Sequence, residues 1–371
     1  MAFSQYYVDP AIAANSGIGT SGDPFGDLQY ALNTITRNAT DGDQINIKEG
    51  TAEILAAALV LTTYGTPGTG TPLIFRGYTS AANDGGVGAI NCNGFTFIAS
   101  TPSNILLHDV HFSGSATAAN GCLALGDNCH VWNCEIENTS GYAVGVNSGG
   151  LVGGCYIHNA VTGITLGRGG GSGPVALGNY ILNSGARTTT TGINGCTNGS
   201  IDRNIISLGS SGKGIVAASG CVIKNNSVYS AAGTGVGIEV GATLYRVTVL
   251  NNIIEGFSGS GGKGLNILST NHVLYGHNAY YNNATNESVA SGEAVSLGNN
   301  DTLSGSAFVN AGSGDFDING TVAGVTEDGW PGAFYGASST VSKAEKGASQ
   351  SGAGAAGGGQ VSISPFRGNV G

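Results

Sequence analysis

Between Val131 and Tyr280 apolar and polar positions alternate in short bursts that recur in phase. An Asn or Cys followed two residues later by an aliphatic residue or Tyr occurs at Cys134/Ile136, Cys155/Ile157, Asn179/Ile181, Asn204/Ile206, Asn226/Val228, Asn252/Ile254 and Asn278/Tyr280. Successive members are 21, 24, 25, 22, 26 and 26 residues apart, the period of a solenoid. A second column, small then apolar, keeps step with the first: Gly121-Cys122, Ala143-Val144, Gly163-Ile164, Gly192-Ile193, Gly214-Ile215, Gly237-Ile238 and Gly264-Leu265. A third lies three residues ahead of the Asn/Cys positions, at Val131, Val152, Ala176, Ile201, Ile223, Val249 and Tyr275. Apolar spacing within a burst is two, as in Ile238 and Val240, so alternate side chains face one interior. Three columns in register predict three short strands per coil, stacked as parallel strands into an all-β, right-handed, single-stranded parallel β-helix. Leucine-rich repeats share the period but need a denser Leu framework. Helical repeats are excluded because Gly at this density destabilises every helix interior.

The 66 glycines among 371 residues suit the corners of such coils, where φ > 0 or a turn without room for Cβ is required. Asn tolerates the same conformation, which places Asn179, Asn204, Asn226, Asn252 and Asn278 at one corner. Stacking then aligns their amides as a ladder along the axis, each bonded to the next, as architecture and not as an active site.

A helical spacing of Phe25, Leu28, Leu32 and Ile35, with Asp23 as N-cap and Pro24 at the first helical position, predicts a short helix that covers the open end of the first coil. Ile45 and Ile47 alternate as in a strand. The expected organisation is an N-terminal cap over 1–50, the β-helix over 51–320, a C-terminal cap over 321–350 and a Gly/Ala-rich linker with a terminal peptide over 351–371. Val361, Ile363, Pro365, Phe366 and Arg367 give that peptide a strand-like apolar character, and are expected to dock on a partner.

Only 10% of residues are charged, and 13 Lys and Arg against 23 Asp and Glu leave a net charge of −10. Without a cationic cluster, an electrostatic grip on nucleic acid or an anionic membrane is not expected. No run is long enough to span a bilayer. The first residues carry no basic segment followed by an apolar one, so folding in a cytoplasm is expected, with the seven cysteines reduced.

Several stretches carry a family resemblance. Gly19-Thr20-Ser21-Gly22-Asp23-Pro24-Phe25 with Gly42-Asp43-Gln44-Ile45-Asn46-Ile47, then Phe75-Arg76-Gly77-Tyr78, and finally Ala307-Phe308-Val309-Asn310 with Gly314-Asp315-Phe316 resemble the pectin-lyase-like superfamily of right-handed parallel β-helices. Within it the chain most resembles a structural protein of a bacteriophage particle. The resemblance implies the fold over roughly Gly19 to Gln350 and leaves activity open, because this superfamily hosts many functions.

Lyases of this superfamily use clustered Asp/Glu for Ca²⁺ with a nearby Arg or Lys, and its hydrolases use paired Asp on adjacent coils. Here the acids Asp109, Asp127, Glu135, Glu137, Asp202, Glu239 and Glu255 read as solvent-facing charges, with Asp202, Arg203 and Glu255 as the secondary catalytic candidates and Lys224 as an alternative partner. His108, His111, Cys129 and His130 are the secondary metal candidates. Against them, no Cys-x-x-Cys pair exists, and Cys134 and Cys155 stand where Asn stands elsewhere, as small buried packers. No cofactor is expected. Trp132, Tyr280-Tyr281 and Trp330-Pro331 are candidate carbohydrate platforms that more often cap a core.

The leading expectation is a non-enzymatic structural protein on the surface of a virus particle, a capsid-decorating or tail-associated component folded in the host cytoplasm. Its partners are other virion proteins, copies of itself and a cell-surface glycan, with no nucleic acid and no membrane. The alternatives are a polysaccharide lyase or hydrolase, and an adhesin or receptor-binding spike.

Overall fold

Each repeat spends its apolar residues on three short strands, and among the described residues the computed structural model stacks these into three parallel sheets of twelve, eleven and eight strands around one core. The structure describes residues 3–114, 121–137, 140–168, 170–183, 189–269, 271–290, 292, 294–319 and 321–322. A representative coil runs through Val222–Lys224 in the twelve-stranded sheet, Ser227–Ser230 in the eleven-stranded sheet and Val236–Val240 in the eight-stranded sheet. Among the described residues no helix is long and apolar enough to cross a membrane.

The three columns become three buried rows. Val131, Val152, Ala176, Ile201, Ile223, Val249 and Tyr275 are successive register partners in the first sheet. Ile136, Ile157, Ile181, Ile206, Val228, Ile254 and Tyr280 are partners in the second. Val144, Ile164, Ile193, Ile215, Ile238 and Leu265 are partners in the third. Val144 pairs on its other side with Leu123 and not with Cys122, so the first member of that column sits one residue later than the spacing implied. Each fully buried Ile or Val contributes about 1.5–3 kcal/mol over exposure, so the rows drive folding. Earlier coils use larger side chains, with Phe97 edge-on to both Phe75 and Phe112 at 5.2 and 5.1 Å.

The Asn ladder is present, and its geometry is more specific than a corner residue requires. Asn204 donates its backbone N–H and its side-chain amide to Asn226 Oδ1 at 2.9 and 3.0 Å. Asn226 does the same to Asn252, and Asn252 to Asn278. Asn179 donates both groups to Asn204, and Asn300 takes the next place beyond Asn278. The left-handed residue is the one before each ladder position: Gly178, Arg203, Asn225, Asn251 and His277 have φ between 53° and 62°. The ladder side chains are thereby left free to bond along the axis.

The small residue of the second column has a reason other than φ. A Cβ on Gly214 would lie 2.3 Å from Val228 Cγ1 and 2.4 Å from the Gly237 carbonyl oxygen. Gly192 and Gly237 meet the same pair of obstacles, an Ile of the second sheet and the next glycine's carbonyl. From Gly163 to Gly237 the column is glycine because two sheets close on it.

At the N-terminus Ser4–Val8 adds a strand to the twelve-stranded sheet beside Asp43–Lys48. The helix is Leu28–Thr34, shorter than its apolar spacing suggested. Asp27, not Asp23, is the N-cap, its carboxylate accepting from Tyr30 N–H at 2.6 Å. Pro24 therefore lies outside the helix, and Phe25 precedes it, buried between Tyr6 and Tyr30. Ile35 is the extended C-cap. Leu28, Ala31 and Leu32 join the same core as Ile45 and Ile47.

At the other end Phe308–Asn310 and Asp315–Ile318 pair as an antiparallel hairpin. It packs on the outer wall of the eleven-stranded sheet, over Tyr180, Leu182, Ile205, Tyr229 and Tyr281. Phe316 sits edge-on to Tyr180, Tyr229 and Phe308. Of 321–350 only Thr321 and Val322 are described, so the expected C-terminal cap and the whole of 351–371 fall outside the described residues.

Candidate functional site

Outward side chains of a parallel β-helix stand in rows one coil spacing apart, about 4.8 Å, so any site is assembled from several repeats. The three outer walls differ in whether their polar groups are already engaged.

On the twelve-stranded wall Asp202 is enclosed by cations and amides. Arg203 Nη2 lies 3.1 Å and Lys224 Nζ 3.7 Å from Asp202 Oδ2, and Asn225 donates to Oδ1 at 2.8 Å. Further toward the N-terminus Asp109 pairs with Arg76 at 3.2 Å and accepts from Asn133. His108 and His130 flank this group, and burial lowers the pKa of both. Trp132 lies flat above Gly153, where a Cβ would meet the indole at 2.1 Å.

The eleven-stranded wall carries a second network. Glu135 and Tyr156 are register partners, as are Glu137 and His158. His158 Nε2 approaches Glu135 Oε1 at 2.9 Å and Glu137 Oε2 at 3.8 Å, and His111 lies 3.3 Å from Glu137. The hydrogen bond from His158 holds the Glu135 carboxyl below its ordinary value. Glu255 lies on this wall under the hairpin, not beside Asp202. It accepts from Ser306 Oγ at 2.7 Å and Ala307 N–H at 3.0 Å, and burial raises its pKa.

Asp202 and Arg203 therefore meet, and Glu255 does not join them. The metal candidates are likewise dispersed. His108 and His130 share one wall, His111 stands on another, and Cys129 is inside the core, its thiol donating to the Pro102 carbonyl at 3.2 Å and pushed up to about 11 by burial. Among the described residues no three His, Cys, Asp or Glu side chains are arranged to hold a metal ion. Tyr280 is a core residue and Tyr281 lies under the hairpin. Val361, Ile363, Pro365, Phe366, Arg367 and Trp330 fall outside the described residues.

The eight-stranded wall differs from both. In three adjacent strands Gly163, Gly192 and Gly214 are buried and let residues three apart face outward together, so Thr162 and Thr165, Thr191 and Asn194, and Lys213 and Val216 stand side by side. With Thr190 and Ser211 they line an open cleft of about 390 Å³. Lys213 is engaged by Glu239 at 2.7 Å, and Thr190 Oγ1 donates to Val161 O. Among the described residues the side chains of Thr162, Thr165, Thr191, Asn194 and Ser211 have no protein partner. Free hydroxyls and an amide on two adjacent strands, with Ser211 from the turn before the third, form a rigid array of donors and acceptors with little charge. Sequence reasoning passed over this cleft. Its signal is the pair of positions that bracket the Gly-apolar column, as in Thr162-Gly163-Ile164-Thr165 and Thr191-Gly192-Ile193-Asn194.

Comparison with known proteins bears on the fold. Residues 85–256 match the family described as "Right handed beta helix region". The chain is a right-handed parallel β-helix. This β-helix is similar to a solved glycoside hydrolase, with a TM-score of 0.58 at 9% identity over 80% of this chain and 96% of that one. It is similar to a rhamnogalacturonan lyase, with a TM-score of 0.51 at 15% identity over 82% of this chain and 90% of the lyase. The tailspike protein of E. coli bacteriophage HK620, solved with a pentasaccharide, aligns with a TM-score of 0.47 at 16% identity over 69% of this chain and 58% of the tailspike. No curated protein sequence matches the chain.

Proposed function

We propose that this β-helix binds a polymeric carbohydrate along its eight-stranded wall. The observation that carries the reading is the cleft whose Thr162, Thr165, Thr191, Asn194 and Ser211 side chains are unengaged, while the carboxylates Asp109, Asp202 and Glu135 on the other two walls are paired within the protein. Sugars present dense hydroxyls of both donor and acceptor character, and neutral hydroxyl and amide side chains on a rigid sheet match them without ordering long side chains. A glycoside hydrolase and a rhamnogalacturonan lyase built on the same fold support a carbohydrate over other polar ligands. Cleavage by a carboxylate pair is not favoured at this cleft, because Glu239 is held by Lys213 and glycoside hydrolysis of that type requires two carboxylates at a set separation. The test is to incubate the protein with a panel of polysaccharides and follow retention and new chain ends together. Retention without new ends is expected; new ends would assign a depolymerase, and retention of none would remove the reading.

The same β-helix is proposed to be carried on a virus particle as a capsid-decorating or tail-associated component, in contact with other virion proteins. The support is a slender body with sparsely charged walls and seven free, buried cysteines, which suit folding in a host cytoplasm. Co-purification with particles at a fixed ratio to the shell protein is the expected result. Particles lacking the protein would refute this placement and leave the carbohydrate reading standing.

A further inference from the structure

Cys92 and Cys122 meet inside the N-terminal half of the core, contributed by successive turns of the β-helix. Cys92 follows the strand Gly88–Asn91, and Cys122 precedes Leu123–Ala124. Their sulfurs are 3.6 Å apart and both residues are fully buried. The thiols of Cys129, Cys134, Cys155 and Cys196 each point at a backbone carbonyl. Cys134 and Cys155 also interact side chain to side chain, but their thiols are turned to the Trp132 and Gly153 carbonyls, whereas Cys92 and Cys122 are directed at one another. A disulfide needs its sulfurs at about 2.05 Å with Cβ atoms about 3.5–4.5 Å apart, a change that side-chain torsion supplies when the sulfurs already touch.

We propose that Cys92 and Cys122 form a modification site, a latent disulfide that ties two coils together, made by exchange with a small-molecule disulfide such as oxidised glutathione. One cysteine, as thiolate, attacks a sulfur of the reagent, forming a protein mixed disulfide and expelling one reagent thiolate. The second cysteine, also deprotonated, attacks the protein sulfur of that mixed disulfide and expels the other. The two protein thiols lose two electrons to the reagent, and their two protons end on the two reagent thiols released. The hydrogen bond with Cys92 and burial push the Cys122 thiol upward, so the thiolate is scarce, and the reagent is excluded while the coils are closed. The exchange therefore occurs while this part of the chain is open, during folding or transient unfolding. Once formed, the bond closes a loop of the unfolded chain and raises the melting temperature.

The experiment refolds the full chain from denaturant in oxidised glutathione, then counts thiols under denaturing conditions and maps cross-linked peptides by mass spectrometry. The expected result is one cross-link joining the peptides of Cys92 and Cys122, five titratable thiols where the reduced chain has seven, and a higher melting temperature. Seven remaining thiols, or a cross-link between other cysteines, would overturn the proposal. The variants Cys92→Ala and Cys122→Ala keep a small apolar side chain and should each abolish the cross-link; persistence in either would overturn it as well. Folded protein placed in the same reagent without denaturant should keep all seven thiols, and rapid loss there would overturn the requirement for opening.

Discussion

At the scale of the residue, the ladder is where one amide carries several bonds. Asn226 Oδ1 accepts from both donors of Asn204, while its own Nδ2 serves the Ile201 and Lys224 carbonyls and Asn252. Asn226→Ala leaves several buried groups without partners at once, and is expected to cost about 2–4 kcal/mol in urea unfolding; a cost under about 0.5 kcal/mol would show that neighbours or water replace the amide. The second column offers a paired test. Gly214→Ala is expected to destabilise by about 1–3 kcal/mol, because its Cβ meets backbone and a packed Val. Gly22→Ala, with nothing within 4 Å, should be close to neutral in the same melt. Equal effects would contradict the close-packing account. The Asn ladder was legible in the sequence because stacking repeats one residue at one place. The assignment of left-handed φ to those Asn was not, because the turn places it one residue earlier, where Arg203 and His277 carry no compositional hint.

At the scale of the element, the N-terminal helix rests on a buried carboxyl. Glu53 accepts from the Leu28 N–H, and burial pushes its pKa from 4.5 up to about 7. Between those values the folded chain keeps a proton that the unfolded chain has released, so the Glu53 contribution makes stability fall as pH rises through that window and level off above it. Glu53→Gln should flatten that part of the stability profile, read as the difference from the parent chain at pH about 5 and about 8; an unchanged difference would contradict the burial of this carboxyl. The hairpin depends on Phe316, which meets three aromatic rings. Phe316→Ala is expected to cost about 3 kcal/mol and to increase dye binding at the uncovered wall; unchanged dye binding would show that the hairpin stays seated without it. Strand positions were legible because period-two alternation repeats in every coil. The helix start was not, because Asp23-Pro24 and Asp27 both satisfy capping rules and only the packing of Phe25 against Tyr6 and Tyr30 decides between them. Phe308 and Phe316 read as the end of the regular part, but their place on the side wall follows from Tyr180 and Tyr229 on distant coils, a contact no local pattern reports.

At the scale of the whole molecule, three buried rows fix a rod and leave its walls chemically independent. The interior was readable because it is constrained at every repeat. The walls were not, because Thr162, Thr191 and Lys213 are separated by 29 and 22 residues in the chain and become neighbours only through stacking. The carboxylates Asp109, Asp202 and Glu135 are paired with neighbouring cations or His, and the open valences of the cleft lie with neutral Thr, Ser and Asn. The central claim is that this neutral cleft holds a glycan. Its most direct test is calorimetric titration of the full chain, and of the Thr191→Val/Asn194→Leu variant, with the polysaccharide best retained from a panel. The account predicts saturable binding by the parent chain and a loss of about tenfold or more in the variant, at an unchanged melting temperature. Equal affinity of the two proteins, or no heat of binding with any retained polysaccharide, would contradict it.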